Sequence, residues 1–221
     1  MIIYMTVLLY GMAVQRSVLE DKTSRIVEIL LSTTKPFQLM LGKILGVGGV
    51  GLTQYAVWAV VAIGGAAYLR ATTPALAGVA ALAPLTIGFF VIYFVLGFLL
   101  YAAIYAAVGA MVTTDQEAQQ MQWPVTMLIV IPIILMMQVL RDPDGTMSVV
   151  YSMIPFFSPI IMLVRINLHT PPVWQIATSL GILVLSIIGF AAVAARIFRV
   201  GILMYGKRAT LPEILRWVRQ S

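Results

Sequence analysis

The chain has no cysteine and one histidine, His169, among 221 residues. Disulfide frameworks, thiol catalysis and cysteine-ligated zinc are excluded, and a Ser-His-Asp triad or a histidine metal cluster lacks the parts to form. Charge is scarce as well. There are 14 Lys and Arg and 8 Asp and Glu, 10% of the chain, against about 25% in an ordinary soluble domain. Hydrophobic residues make up 61% and mean hydropathy is +1.00. A soluble domain of this length needs more polar surface than that, so the composition predicts a protein solvated by lipid rather than water.

What the chain has instead is long apolar runs. Ile44–Leu69, Thr86–Val112, Trp123–Leu140 and Val173–Ala195 contain no charge, and each comes close to or exceeds the roughly 20 residues that cross about 30 Å of hydrocarbon. Residues 1–14 are equally apolar but short, and lack the basic start and small-residue cleavage site of a signal peptide. They read as a partial or truncated first span, with an interfacial or re-entrant start as the alternative. The expected fold class is an all-α polytopic membrane protein: four full transmembrane helices plus this short one, in a single domain over residues 1–221.

Basic residues are retained on the cytoplasmic side. With the segment after Val14 placed there, 11 Lys and Arg fall inside, before the first full span and in the tail at 196–221, and only Arg70, Arg141 and Arg165 fall outside. This predicts a multi-pass protein of the cell membrane with a cytoplasmic C-terminus. The net charge of +6 then lies against anionic inner-leaflet lipid, and membrane anchoring accounts for it without nucleic acid.

Residues 15–38 form the most informative stretch. Leu19, Ile26, Val27, Leu30 and Leu31 recur at helical spacing, while Glu20, Asp21, Lys22, Arg25 and Glu28 fill the rest of the circumference. Asp21 and Arg25 stand four apart and Arg25 and Glu28 three apart, pairs of about 0.2–0.5 kcal/mol each. Pro36 ends or redirects the helix. Two readings share these residues: an amphipathic helix lying on the membrane, and a docking surface for a cytoplasmic protein. The mixed-sign face leans toward the second, since an anionic bilayer favours Lys and Arg.

Gly42-x-x-x-Gly46 opens the first full span and predicts close helix packing, including across a dimer. Residues 46–51 match the spacing of a dinucleotide-binding glycine loop, but no strand precedes them and no acidic residue follows about 20 positions on, so the match is rejected. Gly42-Lys43 lacks the flanking residues of a phosphate-binding loop. No side chain that ionises near neutrality lies inside the four spans, which weakens a reading as a secondary carrier. Gln54, Thr126 and Gln138 are the candidate pathway residues, with helix-to-helix bonding as the plainer role for Gln54. Tyr93, Tyr101 and Tyr105 share one face of the second full span and read as packing residues.

Residues 141–172 hold five prolines around an apolar core too short to span, which predicts a re-entrant or surface-lying hairpin at the outer face, a candidate exit gate. His169 reads as exposed rather than metal-bound. In the tail, Thr210-Leu-Pro-Glu213 has capping-box spacing and predicts a short amphipathic helix.

The blocks LEDKTSRIVEILLSTTKPFQLMLGKILG at 19–46, DQEAQQ at 115–120, IPFFSPIIMLVR at 154–165 and GKRATLPEILRW at 206–217 resemble the permease subunits of ABC-2-type exporters, in the sodium-efflux and multidrug-type branch. The first block is the most specific. The resemblance implies that residues 15–38 are a coupling helix whose Glu20, Asp21, Lys22, Arg25 and Glu28 contact a separate ATP-binding subunit. It also implies a permease dimer, export of an unidentified substrate, and no cofactor in this chain, with ATP and Mg on the partner. Members of this branch begin with a further span and an extracellular domain, so the chain resembles their C-terminal part. The alternative is a non-transporting assembly subunit or remnant.

Overall fold

Hydropathy dictates helices here, because in lipid every backbone polar group must be satisfied within its own segment. The computed structural model describes Ile2–Thr23, Pro36–Thr72 and Pro84–Gly201. These hold α1 (Ile2–Thr23), α2 (Pro36–Thr72), α3 (Pro84–Met111), α4 (Asp115–Arg141), α5 (Thr146–Met153), α6 (Ser158–Leu168) and α7 (Val173–Gly201). Among the described residues there is no strand. Four helices are long and apolar enough to cross a membrane, over Gln38–Val61, Thr86–Met111, Asp115–Arg141 and Val173–Ile197. The all-helical membrane fold with four full spans is as expected.

Several boundaries differ from the sequence reading. No helix break occurs at Val14: α1 continues to Thr23 because Val14, Val18 and Leu19 keep helical spacing and all become buried. Gln15–Thr23 is therefore the second half of the first helix. Residues 24–35, with Arg25 and Glu28, lie outside the described residues, as does the tail motif Thr210–Glu213. Pro36 opens α2, a position where a missing N–H costs nothing. α4 begins at Asp115, eight residues before the uncharged run at Trp123. Thr114 caps it by accepting from the Glu117 amide at 3.3 Å, and the Glu117 carboxylate accepts from the Thr113 amide and hydroxyl at 2.9 Å each.

α3 is the hub, packed on α1, α7, α6, α2 and α4. One side carries Ala102, Ala103, Ala106, Ala107 and Ala110, small enough for α1, α2 and α7 to approach closely. The aromatic side, with Tyr93, Tyr101 and Tyr105 fully buried, meets α4, α6 and α7. Glycines mark the closest approaches. A Cβ on Gly109 would stand 2.6 Å from the Gln15 carbonyl oxygen of α1, and one on Gly97 would stand 2.7 Å from Pro159 of α6. Apolar side chains such as Trp58 and Val61 on α2, Trp123 and Ile134 on α4 and Leu185 and Ile188 on α7 face outward, the arrangement lipid favours.

α5 and α6 form a hairpin between the end of α4 and the start of α7. Its turn, at residues 154–157, contains Pro155, and Pro159 occupies the first turn of α6. Pro132 lies inside α4 and cannot donate to the Leu128 carbonyl four residues back. The Tyr101 hydroxyl takes its place, 3.1 Å from the Leu128 oxygen and 2.8 Å from the Phe156 oxygen in the hairpin turn.

Candidate functional site

Polar side chains gather at two places in the bundle. At one end, α1 finishes beside the end of α3 and the start of α4. Lys22 is 9% exposed, and its ammonium donates to the carbonyls of Ala110 at 3.0 Å and Val112 at 3.2 Å. These are orphan acceptors at the C-terminus of α3, where the helix dipole favours a cation. Burial holds the Lys22 ammonium below its ordinary value, opposed by attraction to Glu117. Two turns earlier on the same face of α1, the buried Gln15 amide donates to the Ala118 carbonyl at 3.0 Å and accepts from the Gln122 amide at 3.1 Å. On another face, Lys43 of α2 binds the Asp21 carboxylate at 2.8 Å, the Ser17 hydroxyl at 2.7 Å and the Ser17 carbonyl at 2.9 Å. α1 is thus fastened to α2, α3 and α4 within its last nine residues.

A polar cleft of about 620 Å³ opens between α1 and the first turns of α4. Met12, Gln15 and Arg16 line one wall, and Asp115, Ala118, Gln119, Gln122 and Trp123 line the other. Its volume falls within the range of small-molecule sites. The sequence reading passed over these glutamines because the cleft lies before the uncharged run of α4. The signal that could have found them is the helical spacing of Asp115, Gln119 and Gln122, which puts all three on one face.

The second polar cluster lies in the hairpin. Arg165 of α6 is fully buried. Its Nε donates to the Pro143 carbonyl at 2.7 Å, one terminal nitrogen to the Ser152 hydroxyl at 2.8 Å and the other to the Gln175 amide oxygen at 2.9 Å, with Asp144 at 3.7 Å. One guanidinium thereby ties α5, α6, the start of α7 and the 142–145 turn. Asp144 also pairs with the exposed His169 ring. Nearby, the Ser158 and Ser179 hydroxyls meet at 2.6 Å and Tyr93 reaches Ser179 at 3.2 Å. Arg165 entered the sequence reading only as a count toward orientation.

The anticipated site residues are dispersed. Of the five expected partner contacts, Glu20 is exposed and pairs with Arg16 at 3.0 Å. Asp21 is engaged by Lys43, Lys22 is turned into the bundle, and Arg25 and Glu28 are not described. Of the pathway candidates, Gln54 accepts from the Tyr10 hydroxyl between α2 and α1, Thr126 is half-buried and Gln138 is exposed. They occupy α2 and α4, which share no substantial packing, and so form no common lining. Gly42 and Gly46 face open space, while Gly48 and Gly51 meet Phe98 and Tyr10 instead. Among the described residues no group of three or more His, Asp or Glu could hold a metal ion.

Comparison with known proteins gives a consistent picture. A family profile described as ABC-2 family transporter protein matches residues 1–196. The uncharacterized protein YhaP of Bacillus subtilis (strain 168) is 35% identical over 228 residues, covering 99% of this chain and 53% of YhaP. The uncharacterized protein MJ1024 of Methanocaldococcus jannaschii is 28% identical over 216 residues, covering 97% of this chain and 51% of the relative. The chain therefore spans about half the length of the curated relatives it matches. No solved structure matches.

Proposed function

Since the chain belongs to the ABC-2 family of transporter proteins, and with it to the membrane components of ABC transporters, we propose that it moves substrate outward when driven by a separate ATP-binding subunit. Hydrolysis takes place on that partner, which carries ATP and Mg; this chain supplies the membrane path. The observation that carries the reading is the construction of the α1 end. A helix with a polar second half, fastened to three neighbours, leads directly into the charged stretch 24–35. Exposed Glu20, together with Arg25 and Glu28, forms the surface that the partner grips. The Lys and Arg distribution supports placing this end and the C-terminus in the cytoplasm of a cell-membrane protein.

In this arrangement the α1/α4 cleft is the loading side, and its three glutamines replace Gln54, Thr126 and Gln138 as the first polar groups substrate meets. The hairpin tied by Arg165 closes the other end. The open face at Gly42 and Gly46 is available to a second permease copy.

The test is co-expression of the permease with its ATPase, comparing the wild type with Glu20→Lys and Glu28→Lys. Both variants are expected to insert normally and to lose co-purifying ATPase activity by at least about tenfold, the factor carried by one charge-assisted contact. Wild-type association in both would sink the assignment. The second reading, an assembly subunit that transports nothing, draws on the half-length match to the relatives. It predicts a stable complex with ATP hydrolysis but no flux.

A further inference from the structure

Charge at the α1/α4 cleft does not balance. On the α1 wall, the Arg16 Nε is held by Glu20 at 3.0 Å, and behind that wall Lys22 is attracted by Glu117. On the α4 wall, Asp115 is exposed and has no hydrogen bond or ion pair among the described residues. Its full negative charge exceeds the roughly half positive charge at the start of a helix, so the cleft attracts a cation.

The glutamines settle which kind of cation. The Ala118 backbone oxygen can only accept, so the Gln15 nitrogen must face it, at 3.0 Å, and the Gln15 oxygen is left to accept from the Gln122 nitrogen at 3.1 Å. Gln122 thereby keeps its own oxygen for the cleft it lines, and no described residue donates to that oxygen. Gln15 is 1% exposed and cannot turn over without losing the Ala118 bond. Asp115 and Gln122 stand about 10 Å apart along α4, with Gln119 between them on the same face, so a cation seated beside Gln119 is within side-chain reach of both. The two groups offered to it are acceptors. A primary ammonium has three N–H donors for them, whereas a quaternary ammonium of the same charge has none.

The cleft also reaches into lipid. About 27 Å of helix separates Trp123 from Arg141, close to the roughly 30 Å of hydrocarbon in a bilayer. With Arg141 at one boundary, the exposed Trp123 lies at the other, and Asp115 stands about 12 Å beyond it among the head groups. Polar groups therefore line the outer part of the cleft, and Met12 and Trp123 its membrane edge.

We propose that the α1/α4 cleft binds an amphiphile through a primary ammonium group: Asp115 supplies the charge, the Gln122 oxygen accepts a hydrogen bond, and Gln15 is the positioning residue that fixes the direction of that oxygen. That the bound amine is also the substrate rests on the permease reading above.

The probes are phenethylamine and its N,N,N-trimethyl analogue, which share ring and charge and differ in N–H donors. Binding is measured by equilibrium dialysis against the complete complex with its ATPase, in phosphatidylcholine nanodiscs. The wild type is expected to bind the primary amine at least about tenfold more tightly than the analogue, the effect of one charge-assisted hydrogen bond. Asp115→Asn should weaken both probes. Gln15→Met should erase most of the ratio by weakening the primary amine alone, and Gln122→Leu, at a half-buried position, makes the same comparison if Gln15→Met does not fold. Equal affinities in the wild type, undiminished binding in Asp115→Asn, or a ratio kept in the glutamine variants overturns the proposal. Nanodiscs that also contain phosphatidylethanolamine separate the sources of the amine: weaker probe binding there identifies a bilayer lipid as the occupant, and equal binding a free amine. Binding as expected, but without ATP-driven flux of phenethylamine in proteoliposomes, leaves the site standing and refutes its substrate role.

Discussion

Lys22 and Arg165 are both buried cations, but they are held in different ways. The Arg165 fork reaches three acceptors on three segments, in directions fixed by its planar shape. Lys22 rests on two carbonyls at one helix end, those of Ala110 and Val112, with a carboxylate close enough to attract it. The hairpin is therefore a knot of three segments around one side chain, and the α1 end a joint to the end of a single helix.

Replacing Arg165 with Met should produce the largest effect. It strands the Ser152, Gln175 and Pro143 acceptors, each unsatisfied neutral group costing about 1–3 kcal/mol of stability, read as a lowered thermal midpoint in detergent. Arg165→Lys should recover less than half, because a point charge cannot span three acceptors. Full recovery would show that the two cations are held alike and would break the comparison.

Glycine substitutions sharpen it at the joint. Gly109→Ala pushes against the Gln15 carbonyl, a backbone atom that cannot turn aside, and is expected to cost about 1–3 kcal/mol. Gly42→Ala and Gly46→Ala enter open space, and should be neutral or gain up to about 1 kcal/mol from helix propensity. Equal losses at all three, measured by thermal unfolding, would show that α1 is not seated on α3 through Gly109.

The smallest effect is a pH dependence. Burial keeps the folded Lys22 below its ordinary 10.5, so the unfolded chain binds more protons in that window. Stability of the wild type relative to Lys22→Met should then rise as pH is raised toward 10.5, by at most about 1.4 kcal/mol per unit, and level off above it. A falling difference would mean that Glu117 outweighs burial.

The sequence made the spans legible because an uncharged run of this length has one economical fate in lipid. Thr86–Val112 and Val173–Ala195 match α3 and α7 to within a residue or two of the spanning segments Thr86–Met111 and Val173–Ile197. The early start of α4 was also available, in Thr114-x-x-Glu117, but cap chemistry is easily read as a link when the next apolar run begins at Trp123. The cleft, the Lys22 joint and the Arg165 knot were not legible. Their acceptors are mostly backbone carbonyls and neutral side chains, which carry no signature in the sequence, and a count of basic residues by side treats a buried cation and a lipid-facing one alike.

One consequence follows from the tyrosine opposite Pro132. The Tyr101 hydroxyl has a single proton and two carbonyls in reach, Leu128 on α4 and Phe156 in the hairpin turn. Only one of them can be bonded at full strength at any moment. The middle of α4 and the tip of the hairpin thus share one hydrogen, and a single side chain of α3 ties both.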